Sequence, residues 1–162
     1  MGENFLNGSI PKGIFSLPHL SQKLLLDGNK FNGNIPDEIG KLQQLSKIDF
    51  SHNSLSNEIA PETSQCKLLT YIDLSRNQIS GEIPTEITGM HILNYFNVSP
   101  NHLIRSIPTS ATSIQSLTSV DFSYNNLSGL VPGTNQFIYF NYTSFLANAD
   151  LYGPYLGEGG VG

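Results

Sequence analysis

One word recurs six times in this chain: Asn, any residue, an apolar residue, a polar residue, Gly, any residue, Ile, Pro. Its asparagines are Asn4, Asn29, Asn53, Asn77, Asn101 and Asn125, spaced 25, 24, 24, 24 and 24 residues apart. A fixed period in the twenties, with leucines at constant offsets, rules out most globular topologies. Each repeat can bury its apolar face only against its neighbours, so the chain must stack into a solenoid. Such a stack has no active-site cleft by default. It presents a long surface, and function turns on what that surface binds.

The apolar offsets define the repeat. Leu69, Ile72 and Leu74 lie eight, five and three residues before Asn77; Leu45, Ile48 and Phe50, then Leu93, Phe96 and Val98, then Leu117, Val120 and Phe122 hold the same places. The last two of each set are two apart, which is strand periodicity, so they point inward and the residues between them point outward. Each buried side chain of this kind contributes about 1.5–3 kcal/mol before entropy is counted. The asparagine after the strand stands where the chain must turn, and its amide can both donate to and accept from backbone groups left without ladder partners. The six asparagines are therefore expected to form a stacked ladder. Gly in the following word allows positive φ, and Pro can open a short helical turn. The stretches DEIGKLQQL, TEITGMHIL and TSATSIQSL fit such turns on the convex side, with Ile39, Ile87 and Ala111 three residues after their prolines. These features specify a leucine-rich repeat solenoid of 24-residue period, with a parallel sheet on the concave face and short 3-10 or helical turns on the convex face.

Two irregularities stand out. Repeat three carries Ala60 at the proline place, Thr63 where Ile is expected and Cys66 at a leucine place; Cys66 reads as a buried apolar filler. The 25-residue first spacing puts a seam near Ser21, Gln22 and Lys23, to be absorbed as a bulge or a loosened strand. Met1 falls at a core position, so the sequence is expected to begin inside a repeat without a capping element. We divide it into an array over 1–132, a degenerate cap over 133–157 and a flexible tail over 158–162.

Composition narrows the partner. Eight basic and 13 acidic residues give a formal charge of -5, with no basic block, which argues against nucleic acid. No apolar run approaches the length of a membrane span, and the first residues lack the pattern of a signal peptide. The histidines His19, His52, His91 and His102 lack metal-ligand spacing and are expected to face solvent; no metal or cofactor is called for. The terminal Gly157-Glu158-Gly159-Gly160-Val161-Gly162 fits G-x-G-x-x-G but has no following helix, and it reads as tail. Asp49, Asp73 and Asp121 recur four residues before the asparagine, yet a carboxylate row without a paired acid and base around a pocket is a consensus feature rather than a catalytic one. Four sequons are present, at Asn7, Asn97, Asn126 and Asn141; Pro100 follows the second directly and weakens it.

The outward strand positions are the candidate binding surface: Lys47, Asp49, Ser51 and His52; Tyr71, Asp73, Ser75 and Arg76; Tyr95 and Asn97; Ser119, Asp121, Ser123 and Tyr124. Tyr and Arg are enriched where interfaces gain energy, so a cluster of Tyr71, Tyr95 and Tyr124 beside Arg76 is the leading patch, against the alternative of a merely solvated face.

The period L-x-x-L-x-x-L-x-L-x-x-N-x-L-S-G-x-I-P over residues 1 to about 132 resembles the plant extracellular type of leucine-rich repeat. The tail VPGTNQFIYFNYTSFLANADLYGPYLG resembles the cap of plant receptor-like kinase ectodomains. KLLLDGNKF, KLQQLSKIDFSHN and LTSVDFSYNNLSGLVPGT bring it nearest the CLAVATA and BARELY ANY MERISTEM type. That resemblance implies a secreted ectodomain at the extracellular face of the plasma membrane. It also implies a non-enzymatic array that binds small secreted CLE-type peptides on its concave face and docks a somatic-embryogenesis-type co-receptor near its last repeats. The family cap usually reads L-C-G-P, where this chain has Leu151-Tyr152-Gly153-Pro154, so the capping disulfide is not expected. The family's Arg-x-Arg clamp for a peptide carboxylate has no counterpart, since the only arginines are Arg76 and Arg105. A soluble binder like the polygalacturonase inhibitors, and a truncated product without independent activity, are the alternatives.

Overall fold

The computed structural model describes residues 4–17, 22–153 and 156. Met1, His19, Ser21 and the 158–162 tail, each given a part in the sequence reading, lie outside them.

Five three-residue strands, Lys23–Leu25, Lys47–Asp49, Tyr71–Asp73, Tyr95–Asn97 and Ser119–Asp121, form a parallel sheet in sequence order. Their register is strict: Lys47 opposes Tyr71, Tyr71 opposes Tyr95, and Tyr95 opposes Ser119. The central residue of each strand, Leu24, Ile48, Ile72, Phe96 or Val120, is buried. Pairing continues past the strands, with Phe50 N donating to Asp73 O at 2.9 Å and Leu74 N to Asn97 O at 2.8 Å. At the seam, Gln22 O accepts from Ser46 N at 2.7 Å, and Lys23–Leu25 already pairs in register with the next strand.

The apolar-polar-Gly words do more than turn the chain. Asn7–Ser9, Lys30–Gly33, Ser54–Asn57, Gln78–Gly81, His102–Arg105, Asn126–Leu130 and Asp150–Tyr152 form a second, seven-stranded parallel sheet that the sequence periodicity does not anticipate. Each of the first six ends at or near a residue with positive φ: Gly8, Gly33, Asn57, Gly81, Arg105 and Gly129. Glycine takes that conformation without steric cost, which explains four of the six; Asn57 and Arg105 hold it with a side chain.

Next, Pro36, Pro84 and Pro108 precede five-residue 3-10 turns, Asp37–Lys41, Thr85–Gly89 and Thr109–Ser113, and in repeat three Pro61 itself opens Pro61–Gln65. A proline's missing donor costs nothing at the start of such a turn. Cys66 is fully buried and its thiol donates to Ile39 O at 3.2 Å. A small apolar cavity of about 20 Å³ lies among Ile83, Ile87, Phe96, Ile107 and Phe122, beside Ala111, where the other repeats carry larger residues.

The segment after the last repeat packs as one further layer. Phe137 and Phe145 are fully buried, and Phe145 stacks on Phe122 at 5.9 Å between centroids. Phe122 N donates to Ser144 O and Tyr124 N to Leu146 O, so the backbone continues the ladder without a disulfide.

Candidate recognition face

The asparagines after each strand hold the turns together. Asn77 Nδ2 donates to Phe50 O, Leu74 O and Ser75 O at 2.9–3.1 Å, while its Oδ1 accepts from Leu55 N at 3.0 Å. Asn53 and Asn125 repeat the whole pattern. In Asn101 the amide reaches Leu74 O and Val98 O, and its Oδ1 accepts from Ile79 N. Asn29 bonds Leu26 O, Asp27 O and Leu6 N. From Asn53 to Asn125 each side chain thus joins the preceding turn, its own turn and the neighbouring strand, satisfying groups that neither sheet can. Asn4 stands at the start of the described chain and is exposed. A further rung, Asn148, is absent from the sequence series. It is fully buried, donates to Phe122 O, Phe145 O and Leu146 O, and accepts from Leu127 N.

The residue before five of these asparagines also has positive φ: Gly28, His52, Arg76, Tyr124 and Ala147. At the equivalent place Pro100, whose ring fixes φ negative, follows a cis peptide bond. His52, Arg76 and Tyr124 are therefore exposed turn residues and not strand residues.

That placement corrects the proposed aromatic cluster. Tyr71 and Tyr95 face each other across the sheet with centroids 4.2 Å apart and rings 3° from parallel. Tyr124 lies five residues beyond its own strand position, is 59% exposed and meets no other ring among the described residues. Arg76 lies on the same turn series, away from the strand column that carries the tyrosines. What the fold does assemble is a column of Lys47, Tyr71 and Tyr95, with Lys47 Nζ 4.3 Å from the Tyr71 ring centroid. A cation over an aromatic face gains about 0.5–2 kcal/mol according to how dry it is. Partial burial, then the neighbouring Tyr95 and the Asp73 carboxylate, push the Tyr71 hydroxyl well above the usual phenol range.

The carboxylate column beside it is half committed to the backbone. Asp49 Oδ1 accepts from Ser51 N and Ser51 Oγ, and Asp121 Oδ1 accepts from Ser123 N and Ser123 Oγ. Asp73 Oδ1 accepts from Ser75 N at 2.9 Å, and Asn97 makes the same bond to Ser99 N. This is a side-chain turn closing four of the five strands, and it gives the recurring Asp a structural reason. It also removes Ser51, Ser75 and Ser123 from the outward set, since all three are buried, and leaves Asp73 only 8% exposed. Lys47, Tyr71, Tyr95, Asn97, Asp49 and Asp121 remain half-exposed on the sheet.

The other sequence candidates fall as follows. Asn7, Asn126 and Asn141 are exposed, whereas Asn97 is half-buried and donates to Tyr95 Oη at 3.1 Å. His52, His91 and His102 are exposed. Among the described residues no group of His, Cys, Asp or Glu is arranged to hold a metal ion, and no helix is long and apolar enough to cross a membrane.

Comparison with known proteins agrees with this geometry. The leucine-rich repeat family profile matches residues 22–42, 68–90 and 116–138. A probable leucine-rich repeat receptor-like protein kinase of Arabidopsis thaliana is 40% identical over 47 residues, covering 29% of this chain and 5% of that relative. Among solved structures, the Arabidopsis receptor kinase HAESA, in complex with the peptide hormone IDA and the co-receptor SERK1, superposes with a TM-score of 0.86. It shares 36% identity over 95% of this chain and 25% of its own. The BIR2 ectodomain from Arabidopsis thaliana gives a TM-score of 0.72 and 30% identity over 78% of this chain and 67% of its own. The chain is a leucine-rich repeat solenoid, and its structural neighbours are plant receptor kinase ectodomains. It spans about a twentieth of the curated relative and a quarter of the HAESA chain.

Proposed function

We propose that this chain is a non-enzymatic recognition module, part of a plant receptor-kinase ectodomain that acts outside the cell. In this reading its five-stranded sheet contributes to binding a secreted peptide of the CLE type, and its last turns and cap dock a co-receptor of the somatic-embryogenesis type. The observation that carries the reading is the Lys47, Tyr71 and Tyr95 column. Aromatic and cationic side chains stand in register, and the other outward groups on the strands from Lys47 onward are short and polar. Such anchors supply most of the energy of an interface, while the surrounding polar groups shape it. The neighbours supply the precedent: one is in complex with a peptide hormone and the co-receptor SERK1, and another, RGFR1, is in complex with RGF2.

Calorimetric titration of the folded chain tests the reading. CLE-type peptides, or a somatic-embryogenesis-type co-receptor ectodomain in their presence, are expected to bind. A folded sample that binds neither refutes it, and binding to a fungal polygalacturonase instead would place the chain among the soluble inhibitors.

A further inference from the structure

The four sequons share one pattern, with Pro100 after the second alone, and the fold treats them differently. Attachment of an N-glycan consumes the asparagine amide nitrogen. That nitrogen replaces a lipid pyrophosphate at the anomeric carbon of a polyprenyl-pyrophosphate-linked oligosaccharide. The C–N bond forms, the C–O bond to the pyrophosphate breaks, the lipid pyrophosphate leaves with the electron pair, and the amide gives up one proton. The sequon must therefore present a free amide and a free hydroxyl.

Asn97-Val98-Ser99 presents neither. Asn97 Nδ2 donates to Tyr95 Oη and its Oδ1 accepts from Ser99 N. Ser99 is 8% exposed and its hydroxyl shares a 2.7 Å hydrogen bond with Ser123 Oγ. Pro100 follows at once. In the other three the asparagine is exposed and the hydroxyl residue is at least half-exposed. In Asn7-Gly8-Ser9 both polar residues are exposed, and Gly8 sits at φ +78 with nothing near the place of a Cβ. Asn126 is exposed at the start of its strand. Asn141, Tyr142 and Thr143 are all exposed, and Asn141 uses only Oδ1, accepting from Thr143 N at 3.2 Å.

We infer that Asn7, Asn126 and Asn141 are N-glycan attachment sites and that Asn97 is not. Two of the three lie on the seven-stranded sheet and the third on the cap, while Asn97 is the only sequon on the five-stranded sheet. Sugar then covers the flank and leaves the Tyr71 and Tyr95 face bare, whatever partner that face binds.

The test is translation of the full chain behind a cleavable signal peptide with glycosylating microsomes, with the glycans counted by mass before and after enzymatic removal. Three glycans are expected. Asn7→Gln, Asn126→Gln and Asn141→Gln should each lose one, and Asn97→Gln should lose none. A glycan lost on Asn97→Gln, or fewer than three on the parent chain, overturns the inference. The count on the unsubstituted chain does not depend on how any variant folds, so it decides by itself.

Discussion

Asn77 shows what one side chain does in this architecture. Replacing it with Ala leaves Leu55 N and the carbonyls of Phe50, Leu74 and Ser75 without the amide that serves them. Leaving one or two such buried groups unsatisfied costs about 2–4 kcal/mol, to be read as a lower midpoint in urea. Arg105 works in the opposite sense. It holds φ +65 at the place where four repeats use glycine, and its ion pair with Glu82 is exposed on both sides. Exposed pairs add little, so Arg105→Gly is expected to stabilise the fold by about 0.5–1 kcal/mol, the relieved backbone strain outweighing glycine's greater freedom when unfolded. Cys66 adds a pH dependence. Burial raises its thiol from an ordinary value of 9.0 to about 11. Above pH 9 the unfolded chain releases a proton that the native chain keeps, so stability falls as pH rises, by about 2–3 kcal/mol between pH 9 and 11. Tyr71 adds a loss of the same sign at higher pH. In Cys66→Ala the slope of denaturation midpoint against pH over that window should flatten.

Among the elements, the short five-stranded sheet was legible from spacing because its signal is local: two inward apolar residues separated by one outward residue, then Asn. The seven-stranded sheet was not. A word such as Gln78-Ile79-Ser80-Gly81 has one inward residue and a glycine at φ +75, which reads as a turn; it becomes a strand only because neighbouring repeats supply backbone partners on both sides. Asn148 escaped for a related reason. It follows Asn125 by 23 residues, and its Leu151 comes one place late for the word, although Phe145 three residues before it matches Phe122 before Asn125. The recurring Asp-apolar-Ser word could have revealed the strand-closing turns. The 3-10 elements offer a direct check on packing. Ala111 borders the small cavity where Ile39 and Ile87 fill the same place in other repeats. Ala111→Val is expected to gain about 0.5–1 kcal/mol by filling it, seen as a raised melting temperature.

For the whole molecule, the two sheets and the 3-10 turns enclose one continuous apolar core that runs from Ile10 to Leu156, so the polar chemistry is left to the surfaces. The candidate face was half legible. Register placed Lys47, Tyr71 and Tyr95 together because they share one repeat position. Tyr124 and Arg76 shared a different one, and only the backbone's left-handed turn there shows that they leave the sheet. The central claim is that this sheet, and not a cleft, performs the chain's work. Its most direct test is titration of the peptide and co-receptor ectodomain against the parent chain and against Tyr71→Ala/Tyr95→Ala, with circular dichroism confirming that both are folded. Saturable binding by the parent and at least a tenfold loss in the double variant, a difference of about 1.4 kcal/mol or more, is the expected result. Equal affinity of the two folded proteins, or no binding by the parent, would contradict it.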